Sequence, residues 1–248
     1  MNVLNINDNP LAFLGDVHGK WEVVKHYFEL YSISNINLVQ VGDFGVGYKK
    51  KDEESQLLNE LSLFLKEKNS FLYVIRGNHD NPSYFQKELI ATYTNIILLE
   101  DYTVLKNGNH SVLCVGGAVS IDRRLSKERS LIIGRNLWWE GENFNYDEEK
   151  LNIILDNHSI DIVVTHNSPK LFYPQGFNHL VMSYAQNDDL LIQDLSNERN
   201  LLQNLYDKLF EKTSPKYWFY GHFHNSNREI IDEKINAILL NIDELYYL

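Results

Sequence analysis

Five short polar clusters recur along the chain, and each one follows a short apolar run. In chain order they are Gly15-Asp16-Val17-His18-Gly19, Gly42-Asp43, Gly77-Asn78-His79-Asp80, Thr165-His166 and Gly221-His222-Phe223-His224. Carboxylate, imidazole and amide groups are the ligand types that hard and borderline divalent cations accept. Pairs of such cations activate water for hydrolysis. The clusters therefore predict a hydrolytic centre that holds two metal ions.

The spacing inside two of the clusters brings pairs of ligands together. Asp16 and His18 are two residues apart on an expected extended exit from a strand, where alternate side chains point to the same side. His222 and His224 repeat this arrangement near the other end of the chain. An isolated histidine near a strand end is more often a structural residue than a ligand. Five clusters that all begin after a strand favour metal binding.

The sequence between the clusters alternates between strand and helix patterns. Short apolar runs typical of buried strands lie at 11–14, 38–41, 71–75, 112–115, 160–164 and 217–220. Helical spacing of apolar residues is found at 21–31, 53–68, 146–157 and 188–210. Runs at 96–99, 102–105 and 112–115 predict a meander, and 229–242 predicts a hairpin. We expect an α/β fold of two packed sheets with helices outside, and ligands at the carboxyl ends of strands.

The composition favours one domain over residues 1–248. With 44% hydrophobic residues the chain can bury a substantial core, and ligands spread from Asp16 to His224 must share one folded unit to form one site. No segment is long and apolar enough to cross a membrane, and the N-terminus lacks the features of a secretory signal. The single cysteine, Cys114, cannot form an internal disulfide. These features predict a cytoplasmic protein with no membrane partner.

The formal net charge of -11 limits the classes of binding partner. A protein that binds duplex nucleic acid without sequence preference normally carries a basic face, so the charge disfavours that function and also a nuclease. A small phosphate ester remains a suitable substrate, because bound cations would reverse the local field that a phosphate meets.

The order of the clusters resembles that of the calcineurin-like metallophosphoesterases, including bacterial and phage members. Their pattern is GDxHG, GD, GNH followed by an acidic residue, a lone His after a strand, and GHxH; this chain has GDVHG, GDFG, GNHD, TH and GHFH over residues 15–224. The resemblance implies a four-layer α/β/β/α sandwich of two mixed sheets flanked by helices. It also implies the ligands: Asp16, His18 and His224 for one metal, Asn78, His166 and His222 for the other, and Asp43 as the bridge between them.

The resemblance implies a phosphoesterase that works by in-line attack of a metal-bridging hydroxide. Asp43 would be catalytic as the bridging ligand, and the family histidine that matches His79 lies near the leaving group, where it could act as general acid. Alternatively, His79 only orients a ligand or the phosphate. Manganese is the expected metal, with iron and zinc as alternatives. We expect a phosphodiesterase acting on nucleotides or cyclic nucleotides, with a phosphomonoesterase or a serine/threonine protein phosphatase as the main alternative, ahead of a nuclease or a non-catalytic scaffold.

One departure from the family pattern disfavours a protein phosphatase. That branch continues GDxVDRG, whereas Val46 and Gly47 stand here in place of its Asp and Arg. The usual partner of the catalytic histidine and one phosphate-binding arginine are therefore absent. Arg76 could still fork onto the phosphate, as the matching residue does in that branch, or it could cap a strand and meet solvent. Asp80 is expected to cap the short helix after Pro82 rather than to orient His79.

The segment 120–145 is irregular in pattern and is expected to form a lid over the site. Trp138 could stack on a nucleobase, and Arg123 and Arg124 could hold a second phosphate or the edge of the nucleotide. Alternatively, the tryptophans anchor the segment to the body of the protein and the arginines are solvated.

Overall fold

The computed structural model describes residues 2–86, 93–108 and 110–248, and these contain two mixed sheets with helices on their outer faces. In chain order the strands are β1 (Val3–Asn5), β2 (Leu11–Leu14), β3 (Asn37–Gln40), β4 (Phe71–Val74), β5 (Ile96–Leu98), β6 (Thr103–Asn107), β7 (His110–Val115), β8 (Ile162–Thr165), β9 (Tyr217–Tyr220), β10 (Asn227–Ile231), β11 (Ile235–Leu239) and β12 (Leu245–Tyr247). The helices are α1 (Glu22–Leu30), α2 (Lys51–Glu67), α3 (Arg123–Ile133), α4 (Glu148–Asn157), α5 (His179–Ala185) and α6 (Leu191–Lys212). Short 3-10 turns lie at Pro82–Phe85 and Lys170–Phe172.

The two sheets differ in size but share a parallel centre. The smaller sheet has the order β12-β2-β3-β4-β5, in which β2 to β5 are parallel and β12 is antiparallel. The larger sheet has the order β1-β6-β7-β8-β9-β11-β10, with β7, β8, β9 and β11 parallel to one another. The carboxyl ends of the parallel strands therefore lie together at one edge of each sheet.

Alternate residues of the strands fill different layers of the core. In β2, Leu11 and Phe13 pack between the sheets, where Phe13 stacks on Phe219 of β9 at 3.7 Å between ring centroids. Ala12 and Leu14 of the same strand face the layer formed by α1 and α2. The outer face of the larger sheet packs against α4 and α6. Strands buried on both faces explain the continuous apolar runs. The predicted four-layer α/β/β/α sandwich is confirmed.

Two details of the predicted elements are wrong. The expected meander is divided, because β5 pairs in parallel with β4 in the smaller sheet while β6 and β7 form a hairpin in the larger one. Ile96 and Leu98 extend the helix-facing core of the smaller sheet. Residues 123–133 form α3 inside the segment expected to be irregular; this helix has few apolar residues, and Ser126 is its one buried residue. Among the described residues, no helix has the length and apolar character that a membrane-spanning segment needs.

Candidate metal centre and substrate cavity

The predicted ligands follow the carboxyl ends of strands in both sheets, but they converge through tight turns and not through extended backbone. His18, Asp43, His222 and His224 all have φ between 49° and 71°, in the left-handed region that side-chain-bearing residues rarely adopt. The expected extended exits are therefore wrong in geometry. Non-glycine residues in this region store strain, and such strain concentrates at functional sites.

Glycines allow the ligand turns to approach one another closely. A Cβ atom at Gly77 would collide with the carboxylate of Asp43, and one at Gly221 would collide with that of Asp16. The role of these glycines is therefore to let the backbone of one turn lie directly against a ligand of the next.

One group of donors consists of Asp16, His18, Asp43 and His224, and one atom from each lies within 4.8 Å of all the others. The Nε2 atoms of His18 and His224 face each other at 2.9 Å, and His224 Nε2 lies 3.4 Å from Asp16 Oδ2. Burial lowers the pKa of His18, although Asp43 and Asp16 act in the opposite direction, whereas the Asp16 carboxylate raises the pKa of His224. These four side chains form a candidate metal site.

A second group of donors lies on the other side of Asp43. Asn78 Oδ1 is 2.9 Å from His222 Nδ1 and 3.1 Å from His166 Nε2. His166 Nε2 is 3.2 Å from Asp43 Oδ1, while Asp43 Oδ2 faces His18 Nε2 at 3.8 Å. The two oxygens of one buried carboxylate therefore face two separate groups of donors.

The outward-facing atoms of His166 and Asn78 in this second group have partners in the protein. The Val41 carbonyl lies 2.9 Å from His166 Nδ1, which fixes the ring so that Nε2 faces inward. Asn78 Nδ2 donates to Ser120 Oγ at 3.0 Å, and Ser120 Oγ donates to Glu142 Oε2 at 2.7 Å. Because these outward atoms are bonded within the protein and Asn78 Oδ1 and His166 Nε2 face inward, the arrangement fits two divalent cations.

The pKa shifts in the second group follow from burial and from the charge of Asp43. Burial alone would raise the pKa of Asp43, but the charges of His166 and His79 hold it well below its ordinary value. Burial alone would lower the pKa of His166, whereas Asp43 raises it to about 9. Burial, together with the charge of His166, lowers the pKa of His222 to about 3. A cation would therefore displace a proton at His166 but not at His222.

A family model described as calcineurin-like phosphoesterase matches residues 10–226. The chain belongs to this family. Two solved structures share its fold: the protein TT1561 of Thermus thermophilus is 14% identical with a TM-score of 0.53, covering 94% of this chain and 89% of that one. A dimetal phosphatase from Danio rerio is 12% identical with a TM-score of 0.52, covering 95% of this chain and 88% of the other. No curated protein sequence matches the chain.

As a calcineurin-like phosphoesterase, the protein is a metal-dependent phosphoester hydrolase. His79 lies beside its candidate metal centre. The ring of His79 is 5.2 Å from that of His18, and its backbone N–H donates to Asp43 Oδ1 at 2.7 Å. The Tyr48 hydroxyl lies 3.0 Å from His79 Nδ1 and donates to the Leu137 carbonyl at 3.3 Å. The hydroxyl oxygen therefore accepts a hydrogen bond from Nδ1–H, which leaves Nε2 for chemistry.

Tyr48 is a partner of His79 that no motif in the sequence identified. It contacts His79 in a chain that lacks the acidic partner typical of the protein phosphatase branch. Burial raises its pKa, so its hydroxyl stays protonated, and the ring of Trp139 packs edge-on against it at 4.6 Å between centroids. Trp139 is itself buried, so this tryptophan anchors segment 120–145 to the body of the phosphoesterase.

Asp80 has neither of the two roles considered from the sequence. Its carboxylate accepts hydrogen bonds from the backbone N–H groups of Phe44, Gly45, Val46 and Gly77, at 2.6 to 3.1 Å. The side chain that caps the 3-10 turn at Pro82–Phe85 is Asn81. Asp80 therefore ties the turn that carries Asp43 to the turn that carries Asn78.

Arg76 does not reach the centre. Its side chain is buried, and its N–H groups donate to Asp101 Oδ2 at 3.0 and 2.7 Å and to the carbonyls of Gly141, Glu142 and Asn143 at 2.8 to 3.0 Å. A guanidinium has five N–H donors, and all five are used. The expected contact with phosphate finds no support in this geometry, since Arg76 instead holds residues 141–143 of segment 120–145 in place.

The three other predicted substrate contacts also have partners within the protein. Arg123 pairs with Asp188 and Asp194, each at 2.6 Å. Arg124 pairs with Glu128 at 3.3 Å and also donates to the Asn187 carbonyl. The ammonium of Lys127 lies 3.6 Å from the centre of the Trp138 ring. The structure does not bring Arg123, Arg124 or Trp138 into the lining of the cavity beside the metal centre, as far as the described residues define it.

That cavity has a volume of about 310 Å³ and extends from the metal centre to the wall formed by α5 and α6. Asp43, Asn78, His79, His222 and His224 form one end. The other parts of the lining are apolar, aromatic or amide groups, together with Asp122 and Arg199. Sequence reasoning missed Arg199, because the apolar spacing of α6 says which of its residues are buried and nothing about where the polar ones lie.

Proposed function

We propose that this phosphoesterase uses two metal ions to hydrolyse small phosphate esters, with phosphodiesters of nucleotides or cyclic nucleotides as its substrates. The observation that carries the proposal is the position of Asp43, whose two oxygens face two groups of donors at the end of a cavity. The family and the fold support the reaction class, and the cavity supports the size of the substrate.

The proposed ligands divide between the two groups of donors. Asp16, His18 and His224 would hold one cation, Asn78, His166 and His222 the other, and Asp43 both. When bound, the cations supply an activated water molecule and charge stabilisation for an in-line displacement at phosphorus. Mixed carboxylate, imidazole and amide donors favour manganese, with iron and zinc as alternatives.

His79 is proposed as the general acid for the leaving group. With Nδ1 donating to Tyr48, a proton on Nε2 is the one that His79 can transfer to the leaving oxygen. The backbone hydrogen bond from His79 to Asp43 keeps the ring next to the metal centre. An alkoxide leaving group needs this proton far more than a nitrophenolate does, because it is much more basic.

The cavity favours a small molecule over a phosphoprotein. Its volume of about 310 Å³ is at the lower end of the ~300 to 1,000 Å³ that is common for small-molecule sites. Its apolar walls offer room for an organic group next to the phosphate. Segment 120–145, which contributes Ile121 and Asp122 to the lining, is proposed to cover this site with its 141–143 end held by Arg76.

The first test is an assay of the manganese-loaded protein against bis-(p-nitrophenyl) phosphate and p-nitrophenyl phosphate, with metal content measured in parallel. We expect bound manganese and turnover of the diester, followed by cleavage of cyclic or linear nucleotide diesters in a wider screen. Turnover of the monoester alone would replace the diesterase with a phosphomonoesterase. Absence of bound metal and of turnover would favour a non-catalytic scaffold.

A further inference from the structure

Arg199 lies on the wall of the cavity that faces the metal centre. It belongs to the middle of α6, and it lines the same cavity as His79 and His222. The ring of Tyr173 lies between Arg199 and the metal centre. Arg199 Cζ is 3.5 Å from the centre of the Tyr173 ring. The other neighbour of this ring is Phe223, at 4.8 Å between ring centroids. Phe223 is the residue between the ligands His222 and His224. A single pair of aromatic rings therefore separates Arg199 from the metal centre.

Two aromatic rings hold the guanidinium of Arg199 by its faces. Its Cζ atom is 3.5 Å from the centre of the Tyr173 ring and 4.2 Å from that of Phe177. Cation–π contacts of this kind orient the guanidinium plane while its N–H groups, which lie in the plane, keep their capacity to donate. The side chain is thus ordered without being neutralised.

The donors of Arg199 are largely unpaired within the described residues. Its Nη2 donates to the Gln175 carbonyl at the long distance of 3.5 Å, the Tyr173 hydroxyl is a second hydrogen-bond partner of its side chain, and its buried Nε has no acceptor. A half-buried cation with so few acceptors loses hydration without replacement, which costs free energy. An anion bound in the cavity would remove that cost.

Two acidic residues, one next to Arg199 in the sequence and one in the cavity lining, have hydrogen-bond partners of their own. The neighbour in the sequence, Glu198, is buried on another side of α6, where it accepts hydrogen bonds from Val119 N–H, Phe144 N–H and Asn167 Nδ2 at 2.7 to 3.1 Å. Asp122 is the acid on the cavity wall outside the metal centre, and it accepts a hydrogen bond from Ser126 Oγ. With two divalent cations bound at the other end, the cavity remains attractive to an anion despite Asp122.

We propose that Arg199 binds a second anionic group of the substrate, so that the enzyme acts on phosphate esters whose organic part carries another phosphate. This inference rests on the proposed function. The scissile phosphate occupies the metal centre, the organic part lies against the apolar wall that includes Ile121, Val181 and Leu195, and the second phosphate accepts hydrogen bonds from the edge of the Arg199 guanidinium.

The test compares two chromogenic esters that differ by one phosphate: thymidine 5′-(p-nitrophenyl phosphate), with and without a 3′-phosphate. We expect the wild type to favour the 3′-phosphorylated ester by about tenfold in kcat/KM, mainly through KM, which corresponds to one charge-assisted hydrogen bond. Arg199→Gln removes this preference, and Arg199→Lys retains part of it because the charge remains. Arg228→Gln is the matched control, since Arg228 also stacks on an aromatic ring, that of Tyr246, but lies outside the cavity lining; it leaves the preference unchanged.

General damage to the fold would lower kcat/KM for both esters and leave their ratio unchanged, so the ratio reports on the subsite itself. A wild-type ratio near one, or a ratio that survives in Arg199→Gln, would overturn the subsite. If the manganese-loaded wild type hydrolyses neither these esters nor bis-(p-nitrophenyl) phosphate, the proposed function fails. Calorimetric binding of thymidine 3′,5′-bisphosphate and thymidine 5′-monophosphate then decides the subsite independently, since equal affinities for the two would reject it.

Discussion

Arg76 and Arg199 are both near the candidate metal centre, and the regions around them use a guanidinium group in opposite ways. Arg76 directly precedes the GNHD motif, is buried, and donates five hydrogen bonds to Asp101 and three backbone carbonyls. Arg199 lies in a helix without any motif and is held by the faces of Tyr173 and Phe177. Its hydrogen-bond partners within the described residues are the Gln175 carbonyl, at a long distance, and the Tyr173 hydroxyl, while its Nε has no acceptor.

The difference teaches which property indicates that an arginine can bind an anion. It is the number of N–H donors without an acceptor in the protein, and not nearness to a motif in the sequence. A guanidinium with all its donors paired would have to break internal hydrogen bonds before it could bind phosphate, whereas one with open donors gains hydrogen bonds when it binds. The Arg76 region therefore serves to hold the site together, and the Arg199 region is suited to selecting the substrate.

The largest effect is expected at the metal centre on which both regions depend. Asp43→Asn removes the charge that both groups of donors share, so we expect kcat for bis-(p-nitrophenyl) phosphate to fall at least about 10³-fold, equivalent to several kcal/mol of transition-state stabilisation. Assays with manganese, together with metal analysis of the purified variant, check this. Activity within tenfold of the wild type would show that Asp43 is not part of the metal centre. The two arginines could then no longer be compared by their roles around a catalytic site.

The next effect separates the two arginines by stability. Arg76→Ala leaves Asp101 and three carbonyls without their donor, and breaking a buried ion pair in this way costs about 3 kcal/mol or more. Arg199→Ala removes stacking and few hydrogen bonds, so its loss is expected to be less than about 1.5 kcal/mol. Urea unfolding of both variants measures the free energies of unfolding. Equal losses would mean that the hydrogen-bond count does not distinguish the regions.

A smaller effect tests whether the region held by Arg76 supports the chemistry from a distance. That region includes Leu137 and Trp139, which contact Tyr48, and Tyr48 in turn contacts His79. Tyr48→Phe is expected to lower kcat by about tenfold for nucleotide diesters with alkoxide leaving groups, because the general acid is no longer oriented.

The leaving group supplies the control for this variant. A p-nitrophenolate leaves without a proton, so turnover of bis-(p-nitrophenyl) phosphate by Tyr48→Phe should change far less than turnover of alkyl diesters. Equal losses for both kinds of ester would assign Tyr48 a purely structural role.

The smallest effect concerns Arg123, a third arginine whose carboxylate partners lie near the surface. Its hydrogen bonds lower the pKa of Asp188, so the unfolded state binds a proton more readily than the folded state. The pair therefore stabilises the protein above pH 3.8, the ordinary pKa of Asp188, and the stabilisation is lost as pH falls through the lowered value. Solvent screening keeps it below about 1 kcal/mol.

The measurement compares the free energy of unfolding of wild type and Arg123→Gln at neutral and acid pH. We expect the difference between them to be small at neutral pH and to shrink as the pH falls below 3.8. A difference that grows in acid would contradict the sign of this coupling.

The fold was predictable from the sequence where local pattern and burial agree. Strands such as β2 and β8 are buried on both faces, so their apolar runs are continuous and easily identified. The sheet to which β5 belongs was not predictable, because its apolar residues suit either core and the choice depends on pairing with β4. The helix α3 was missed for another reason, since it has few apolar residues and none of them is among its buried residues.

What the sequence by itself determined is the set of candidate metal-binding side chains and their order, because each lies within a few residues of the strand that positions it. Only the tertiary structure decided which polar side chains keep donors without an acceptor in the protein. Arg76 is paired by residues 101 and 141–143, and Arg199 is stacked by residues 173 and 177. Whether a donor is paired depends on acceptors brought from distant segments, and no local pattern records them.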